Sequence, residues 1–167
     1  GTFVHALLER CSIKSDVQEI ADVLTAPRQL TTELITQAVA EVEQVLAMPE
    51  AVDIFAETAL REVGVTAPIG NQQLLGVIDC LIVSANQIRI IDFKSNRVVP
   101  SEPSNIPSGI LGQMAAYATA MQQIYPDHDI TCEILWTSAP TLMQLPHDIV
   151  RQAQQTLAYL DDPNRPS

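Results

Sequence analysis

Residues 76–94, GVIDCLIVSANQIRIIDFK, decide the fold of this chain. Two runs rich in Val, Ile and Leu flank the turn-forming residues 84–87, a pattern typical of two strands joined as a hairpin. If the turn is centred between residues 85 and 86, Asp79 lies directly opposite Asp92. Because strand side chains alternate between faces, Asp79, Asp92 and Lys94 are expected on the same face of the sheet.

Two opposed carboxylates are unfavourable as a purely structural feature. Directly opposed side chains have Cβ atoms roughly 4.5–5.5 Å apart, and like charges there are destabilising. Both strands are apolar on both faces, which indicates burial and raises the cost. A hard divalent cation such as Mg²⁺ or Mn²⁺ would offset this repulsion, since carboxylate oxygens are its preferred ligands. Lys94 could neutralise developing charge or orient a water. A structural Asp–Lys pair without catalysis is the alternative.

The periodicity of the remaining sequence predicts one α/β (α+β) domain over residues 1–167, with a helical part at 1–58 and a sheet part at 59–167. Helical spacing predicts helices over 1–11, 15–24, 31–48 and 49–56, the second with Val23 among its buried residues and Ser15 as its cap. Strands are predicted over 60–67, 73–84, 87–93, 129–138 and 141–145. A proline-rich loop at 97–108 and helices at 109–125 and 146–160 complete a mixed sheet flanked by helices, with an antiparallel three-stranded unit.

Composition limits the function classes that the chain can belong to. The 167 residues are 47% hydrophobic, so a core can form, and the net charge is -11. Such acidity argues against a free-standing binder of nucleic acid or anionic membranes. No apolar run reaches the roughly 18 residues of a membrane span, and no secretory-signal pattern is present. The isolated Cys11, Cys80 and Cys132 show no metal-binding spacing and favour a reducing, cytoplasmic location.

Four short motifs together resemble one known family. They are G-x-x-x-H at residues 1–5, G-V-I-D at 76–79, I-I-D-F-K-S-N-R at 90–97 and Q-x-x-x-Y at 113–117. This series is similar to that of the RecB-like branch of PD-(D/E)XK nucleases, and most similar to the C-terminal nuclease domain of AddA helicase–nucleases. The resemblance covers residues 1–146 and implies a restriction-endonuclease-like core. It also implies a Mg²⁺- or Mn²⁺-dependent DNA exonuclease acting in double-strand-break repair and recombination.

The resemblance implies a role for each residue that matches a motif. His5, Asp79 and Asp92 would be metal ligands, assisted by the backbone carbonyl of Phe93. Asp79, Asp92 and Lys94 would form the catalytic group. His5 precedes Glu9 by one helical turn, so the two side chains can face the same way.

A second set of residues would contact DNA according to the same resemblance, namely Gln113, Tyr117, Ser95 and Arg97. Glu62 resembles a glutamate often found on the strand before G-V-I-D, and the roles of Glu62 and Glu9 stay open. The sequence departs from the family at Cys80, where an arginine is frequent, and at Ser95, which retains the hydroxyl of the commoner threonine.

The resemblance also implies partners beyond DNA. Because the chain contains no G-x-x-x-x-G-K-[ST] motif and hence no recognisable ATP site, a helicase motor is expected upstream in a larger helicase–nuclease from which this domain is excised. A second, AddB-like subunit is expected, and no membrane. The alternatives are a catalytically silent module of the same fold and a nuclease of restriction or phage type. The segment W-T-S-A-P-T-L at 136–142 resembles an AddA segment and favours the helicase–nuclease.

Overall fold

Helices enclose a five-stranded mixed sheet in the computed structural model, which describes residues 2–160. The strand order is β1-β2-β3-β4-β5, and the β3–β4 pair is parallel while the other pairs are antiparallel. The elements are α1 Thr2–Leu8, α2 Val17–Thr25, α3 Thr32–Leu46, α4 Ala51–Ile54, β1 Leu60–Ile69, β2 Gln72–Val83, β3 Gln87–Lys94, a 3₁₀ turn Pro103–Asn105, α5 Ser108–Ile124, β4 Asp129–Trp136, β5 Thr141–Leu145 and α6 His147–Leu160. The predicted fold class is confirmed. Gly1 of the first motif and the C-terminal residues 161–167 lie outside the described part.

The hairpin register inferred from the sequence is confirmed where β2 and β3 pair. Cys80 lies opposite Ile91, and Leu81 lies opposite Ile90. In the direction of Asp79, the regular pairing of β2 with β3 ends at the Cys80–Ile91 pair. The next two opposed positions, Asp79 and Asp92, therefore lie where the strands begin to separate.

The N-terminal helices differ in detail from the prediction. Asp16, rather than Ser15, caps α2, and its carboxylate accepts a hydrogen bond from the backbone N–H of Glu19. Val23 is 67% exposed and Ala21 is buried in its place. A helix can rotate its apolar stripe by about one residue without changing its spacing, so the sequence pattern did not distinguish the two positions.

Two apolar clusters cover opposite sides of the sheet. The first joins α1–α4 to side chains of the central strands, including Cys80, Ile91, Phe93 and Leu135. The second joins α5 to the other side, including Ile78, Leu81, Ile90 and Ile134. Within the described residues, no helix is long and apolar enough to cross a membrane.

The regular alternation of side chains breaks at Asp79 in β2. Ile78 packs in the cluster with α5, whereas Cys80, two positions on, packs in the cluster with α1–α4. Residues two apart in a regular strand point to the same face. The strand therefore changes face at Asp79.

The neighbouring strand β1 changes face at the matching position, Glu62. Arg61 contacts the α1–α4 side, while Val63 packs against the α5 side. Glu62 itself has φ of 51°, in the left-handed region that non-glycine residues seldom adopt. Arg61 pairs with Cys80 and Val63 with Ile78, so Glu62 and Asp79 form the break between these pairs. Unusual backbone of this kind concentrates at functional sites.

Gly112 offers a test of how α5 contributes to stability. It lies in the helix interior, and an added Cβ would meet nothing within 4 Å. Glycine in a helix is less stable than alanine by roughly 0.5–1 kcal/mol, because it loses more backbone freedom on folding. Gly112→Ala is expected to raise the free energy of unfolding by about that amount in urea denaturation. A loss of stability would show that the Cβ is obstructed.

Candidate active site

Three side chains of the types that bind metal ions lie close together where β1 and β2 change face. One ligand atom from each of His5, Glu62 and Asp79 lies within 4.8 Å of the others. His5 Nε2 is 3.1 Å from Asp79 Oδ1, and its Nδ1 is 3.2 Å from Glu9 Oε1. The imidazole is thus held between two carboxylates, one of them on its own helix.

Arg61 fixes the helix that carries His5. Its guanidinium donates hydrogen bonds to the backbone carbonyls of Leu8 and Cys11, at the end of α1. It also lies 4.6 Å from the centre of the Phe55 ring, a cation–π arrangement. Because Arg61 directly precedes Glu62 in β1, it fixes α1 beside the strand that contributes Glu62.

Asp79 bridges the separating strands with its carboxylate. Oδ2 accepts a hydrogen bond of 2.6 Å from the backbone N–H of Phe93, while Oδ1 faces His5. The side chain replaces a ladder hydrogen bond at this point of the sheet. Asp79 therefore couples β2, β3 and α1.

Asp92 and Lys94 form a buried pair beside this cluster. Lys94 Nζ is 2.7 Å from Asp92 Oδ2, and the Asp92 side chain is only 3% exposed. Beyond this ammonium group, no donor among residues 2–160 reaches the buried Asp92 Oδ2. Burial, followed by the negative charge of Asp79, raises the pKa of Asp92. The Asp92 carboxylate therefore lies beside one like charge, that of Asp79, and one opposite charge, that of Lys94.

A chain of three hydrogen bonds ties Lys94 to the neighbouring strand. Lys94 Nζ donates to Gln113 Oε1 at 3.1 Å, and Gln113 Nε2 donates to the Tyr117 hydroxyl at 3.2 Å. Tyr117 in turn donates to the backbone carbonyl of Val77 at 2.8 Å. The i, i+4 spacing on α5 places both side chains on one helix face. Lys94 is therefore held from two sides, by Asp92 and by Gln113.

The electrostatics of the cluster reflect its excess of carboxylates. The hydrogen bond to Asp79 is the largest of the effects that raise the pKa of His5 to about 9. Partial burial, followed by the charges of Glu9 and Asp79, raises the pKa of Glu62. Each shift has the sign expected where negative charge has accumulated. An added cation would relieve this repulsion.

Comparison with known proteins identifies the fold family. The model of the PD-(D/E)XK nuclease superfamily matches residues 1–162. The chain belongs to this superfamily. No curated protein matches the chain.

Comparison with solved structures finds a chain of similar fold. A crystal structure of a candidate exonuclease from Eubacterium rectale aligns with a TM-score of 0.65 at 12% identity, over 95% of this chain and 62% of that chain. The present chain thus spans less than two thirds of that protein, and the likeness shows the fold alone. The crystal structure of SSO0001 aligns over 96% of this chain and 77% of that chain at 15% identity, with a TM-score of 0.39, too low to support an argument.

The donor set fits the divalent cation that PD-(D/E)XK nucleases generally use. Its ligand types are an imidazole and carboxylates, which suit Mg²⁺ and Mn²⁺ when oxygen donors dominate. The close approach of the His5, Glu62 and Asp79 ligand atoms is the local observation that supports this fit. The identity of the ion stays a prediction.

The structure places close together most of the residues that the sequence predicted for this PD-(D/E)XK site. His5 and Asp79 meet as expected, and Asp92 contacts Lys94. The role of Glu62 was open, and its place beside Asp79 depends on the β1 register and on the break in β1. No local motif indicated either feature.

Five other positions singled out in the sequence lie around the site. Gln113 and Tyr117 contact protein groups in this structure, and their predicted contact with DNA stays a prediction. Ser95 and Arg97 line grooves next to the cluster. Cys80, where the family often has arginine, is fully buried and donates to the backbone carbonyl of Ile54 at 3.6 Å. Its side chain therefore belongs to the core and not to a DNA-facing surface.

Proposed function

We propose that this PD-(D/E)XK domain is a divalent-cation-dependent DNA exonuclease. The observation that carries the proposal is the meeting of two groups where β2 and β3 separate. One group is the His5, Glu62 and Asp79 cluster, and the other is the buried Asp92–Lys94 pair. A cation site beside a fixed ammonium group is the arrangement that phosphodiester hydrolysis needs.

Each residue has a distinct part in the proposed reaction. His5, Glu62, Asp79 and Asp92 would hold Mg²⁺ or Mn²⁺, with the Phe93 carbonyl as a further predicted ligand. The bound ion would supply Lewis-acid stabilisation of phosphate charge and lower the pKa of a water nucleophile.

Lys94 would keep a positive charge beside the reacting phosphate and orient the attacking water. Gln113 fixes the lysine through Nζ, and Tyr117 fixes Gln113, so these two act as positioning residues. A fixed charge of this kind stabilises a transition state without reorganising during the reaction. Ser95 and Arg97, at the end of β3 and beyond it, are proposed to contact the DNA backbone.

The biological setting of the domain is a separate and more specific proposal. We infer a single nuclease domain excised from the C-terminus of an AddA-like helicase–nuclease with a second, AddB-like subunit, acting in break repair and recombination. The net charge of -11 supports dependence on a motor, since affinity for DNA comes mainly from neutralised phosphates. The three free, buried cysteines fit a reducing, cytoplasmic location. Finding a helicase motor upstream in the parent chain would test this setting.

The proposed activity is tested by metal-dependent cleavage. End-labelled linear DNA should be degraded by the chain with Mn²⁺ or Mg²⁺ and remain intact with excess EDTA. Asp79→Asn should lower both Mn²⁺ affinity and cleavage by at least ~10²-fold, because removal of even an outer-shell partner costs roughly 10–100-fold. The matched control is Asp127→Asn, at an exposed position between α5 and β4, and it should behave as wild type.

Two results would contradict the proposal in different ways. Wild-type protein that binds Mn²⁺ in calorimetry but leaves every DNA substrate intact would favour the silent module. Wild-type protein that binds no Mn²⁺ in the same experiment would show that the proposed metal site does not exist.

A further inference from the structure

Arg28 lines a groove that also contains His5 of the metal cluster. The groove holds about 480 Å³, and Lys94 and Ser95 are among its other lining residues. We call it the Arg28 groove. A neighbouring groove of about 350 Å³ shares Ser95 and contains Arg97. The two grooves thus follow one another past the end of β3.

The guanidinium of Arg28 has no anionic partner among residues 2–160, where no carboxylate lies within 4.0 Å of it. Its backbone is fixed, because its N–H donates to the carbonyl of Thr25 at 2.8 Å. Its side chain lies over the Phe3 ring of α1, 5.9 Å from the ring centre. An exposed arginine is therefore oriented towards the site while its charge stays available to a ligand.

The other basic side chains close to the sheet are engaged by protein groups. Arg61 and Arg89 are committed to protein partners, and Lys94 is paired with Asp92. Arg28 and Arg97, by contrast, each line one of the two grooves that meet beside the cluster. Arg10, Lys14 and Arg151 form no ion pair among residues 2–160 either, but they line neither groove.

We propose that the Arg28 groove is a subsite for the sugar–phosphate backbone of a single DNA strand, next to the scissile phosphate, with Arg28 as a phosphate ligand. This inference rests on the proposed nuclease function. The groove volume of about 480 Å³ lies in the range of about 300–1,000 Å³ typical of small-ligand sites.

Two further features of the groove fit such a strand. Phe3, which lines the neighbouring groove, lies against the guanidinium, and single-strand sites combine cations with aromatic rings in this way. Glu9 also lines the groove, but its carboxylate is engaged by His5 at 3.2 Å. The net charge offered to a phosphate at Arg28 is therefore positive.

The first test is binding of a fluorescent oligothymidylate of about 16 nucleotides, the upper end of single-strand site sizes. Binding is measured by anisotropy in the Asp92→Asn background, to suppress cleavage. Arg28→Gln should weaken binding about 5- to 10-fold and reduce the slope of log affinity against log salt by about 0.7–1, as expected for one lost phosphate contact. Arg28→Lys should retain most of the salt slope.

The matched control is Arg151→Gln, which removes an exposed arginine from α6, outside both grooves. Its affinity and salt slope should equal those of the parent protein. If Arg28→Gln behaves like Arg151→Gln, Arg28 does not contact the strand and the inference is overturned. That outcome would favour a carboxylate of a partner protein as its ligand.

The second test locates the contact along the strand. Neutral methylphosphonates are placed one at a time around the cleavage point. One substitution should weaken binding to the parent protein but have no further effect on Arg28→Gln, since both changes remove the same contact. Additive losses at every position would overturn the assignment. Failure of the wild-type chain to cleave with Mn²⁺ would count against the proposed function, whereas these binding readouts test Arg28 alone.

Discussion

Lys94→Ala is expected to lower the rate of DNA cleavage by about 10²–10³-fold or more, the range found when one fixed donor to a transition state is removed. The ammonium group lies 2.7 Å from Asp92 and 3.1 Å from Gln113 Oε1, so its position beside the cluster is set from two sides. No other described basic side chain lies within 4.0 Å of Asp92. Single-turnover cleavage with saturating Mn²⁺ measures the effect on chemistry.

Stability measurements and a matched control separate loss of catalysis from loss of folding in the Lys94→Ala protein. Lys94→Ala leaves the buried Asp92 without its cation, which destabilises the metal-free protein. Mn²⁺ should restore part of that stability, since a ligand that binds only the folded state stabilises it. Lys14→Ala, at an exposed turn position, is the control and should cleave normally. Full activity in a folded Lys94→Ala protein would show that the lysine is not part of the reaction.

Gly76→Ala is expected to damage both the fold and the site. An added Cβ would lie 2.8 Å from Tyr117 Cε1 and 3.1 Å from its hydroxyl oxygen. The Tyr117 residue is only 4% exposed and its hydroxyl is bonded to Val77, so the ring cannot move without breaking that bond. Overpacking of this kind costs roughly 1–3 kcal/mol of unfolding free energy.

The loss of activity should exceed what the loss of stability explains. Displacing Tyr117 removes the hydroxyl that holds Gln113, and Gln113 in turn holds Lys94. Cleavage measured well below the melting temperature should therefore fall while Mn²⁺ affinity is retained. Urea denaturation gives the stability change independently.

The chain provides a matched glycine for this experiment. Gly64 lies in β1 opposite Val77, and an added Cβ there meets nothing within 4 Å. Gly64→Ala should leave both stability and cleavage close to wild type. Adding Tyr117→Ala to Gly76→Ala should recover part of the lost stability, because the two changes share one contact. Strictly additive losses would show that Tyr117 is not the obstruction.

The central hairpin was predictable because its determinants are local. Two continuous apolar runs and the short turn between them are enough to set the register of residues 80–83 against 88–91. The pairing of Asp92 with Lys94 follows from the alternation of side chains between the two faces of a strand. These features need no information from distant parts of the chain.

The rest of the site depends on contacts between distant segments. Glu62 joins Asp79 because β1 changes face there, next to an arginine that reaches back to α1. Tyr117 meets Val77 across 40 positions of sequence, so its spacing to Gln113 could not show what it contacts. Arg28 belongs to none of the sequence motifs. Its place at the groove, with its side chain over the Phe3 ring, is visible only in the structure.

Two opposing requirements meet at position 62, where the backbone is left-handed. Its φ of 51° suits glycine, and a side chain there costs roughly 1–2 kcal/mol. Its carboxylate, however, lies within 4.8 Å of the His5 and Asp79 ligand atoms. Selection for stability alone would favour glycine at position 62, and selection for ion binding would favour an acid. Under the proposed function, a glutamate at this position exchanges backbone stability for an ion ligand.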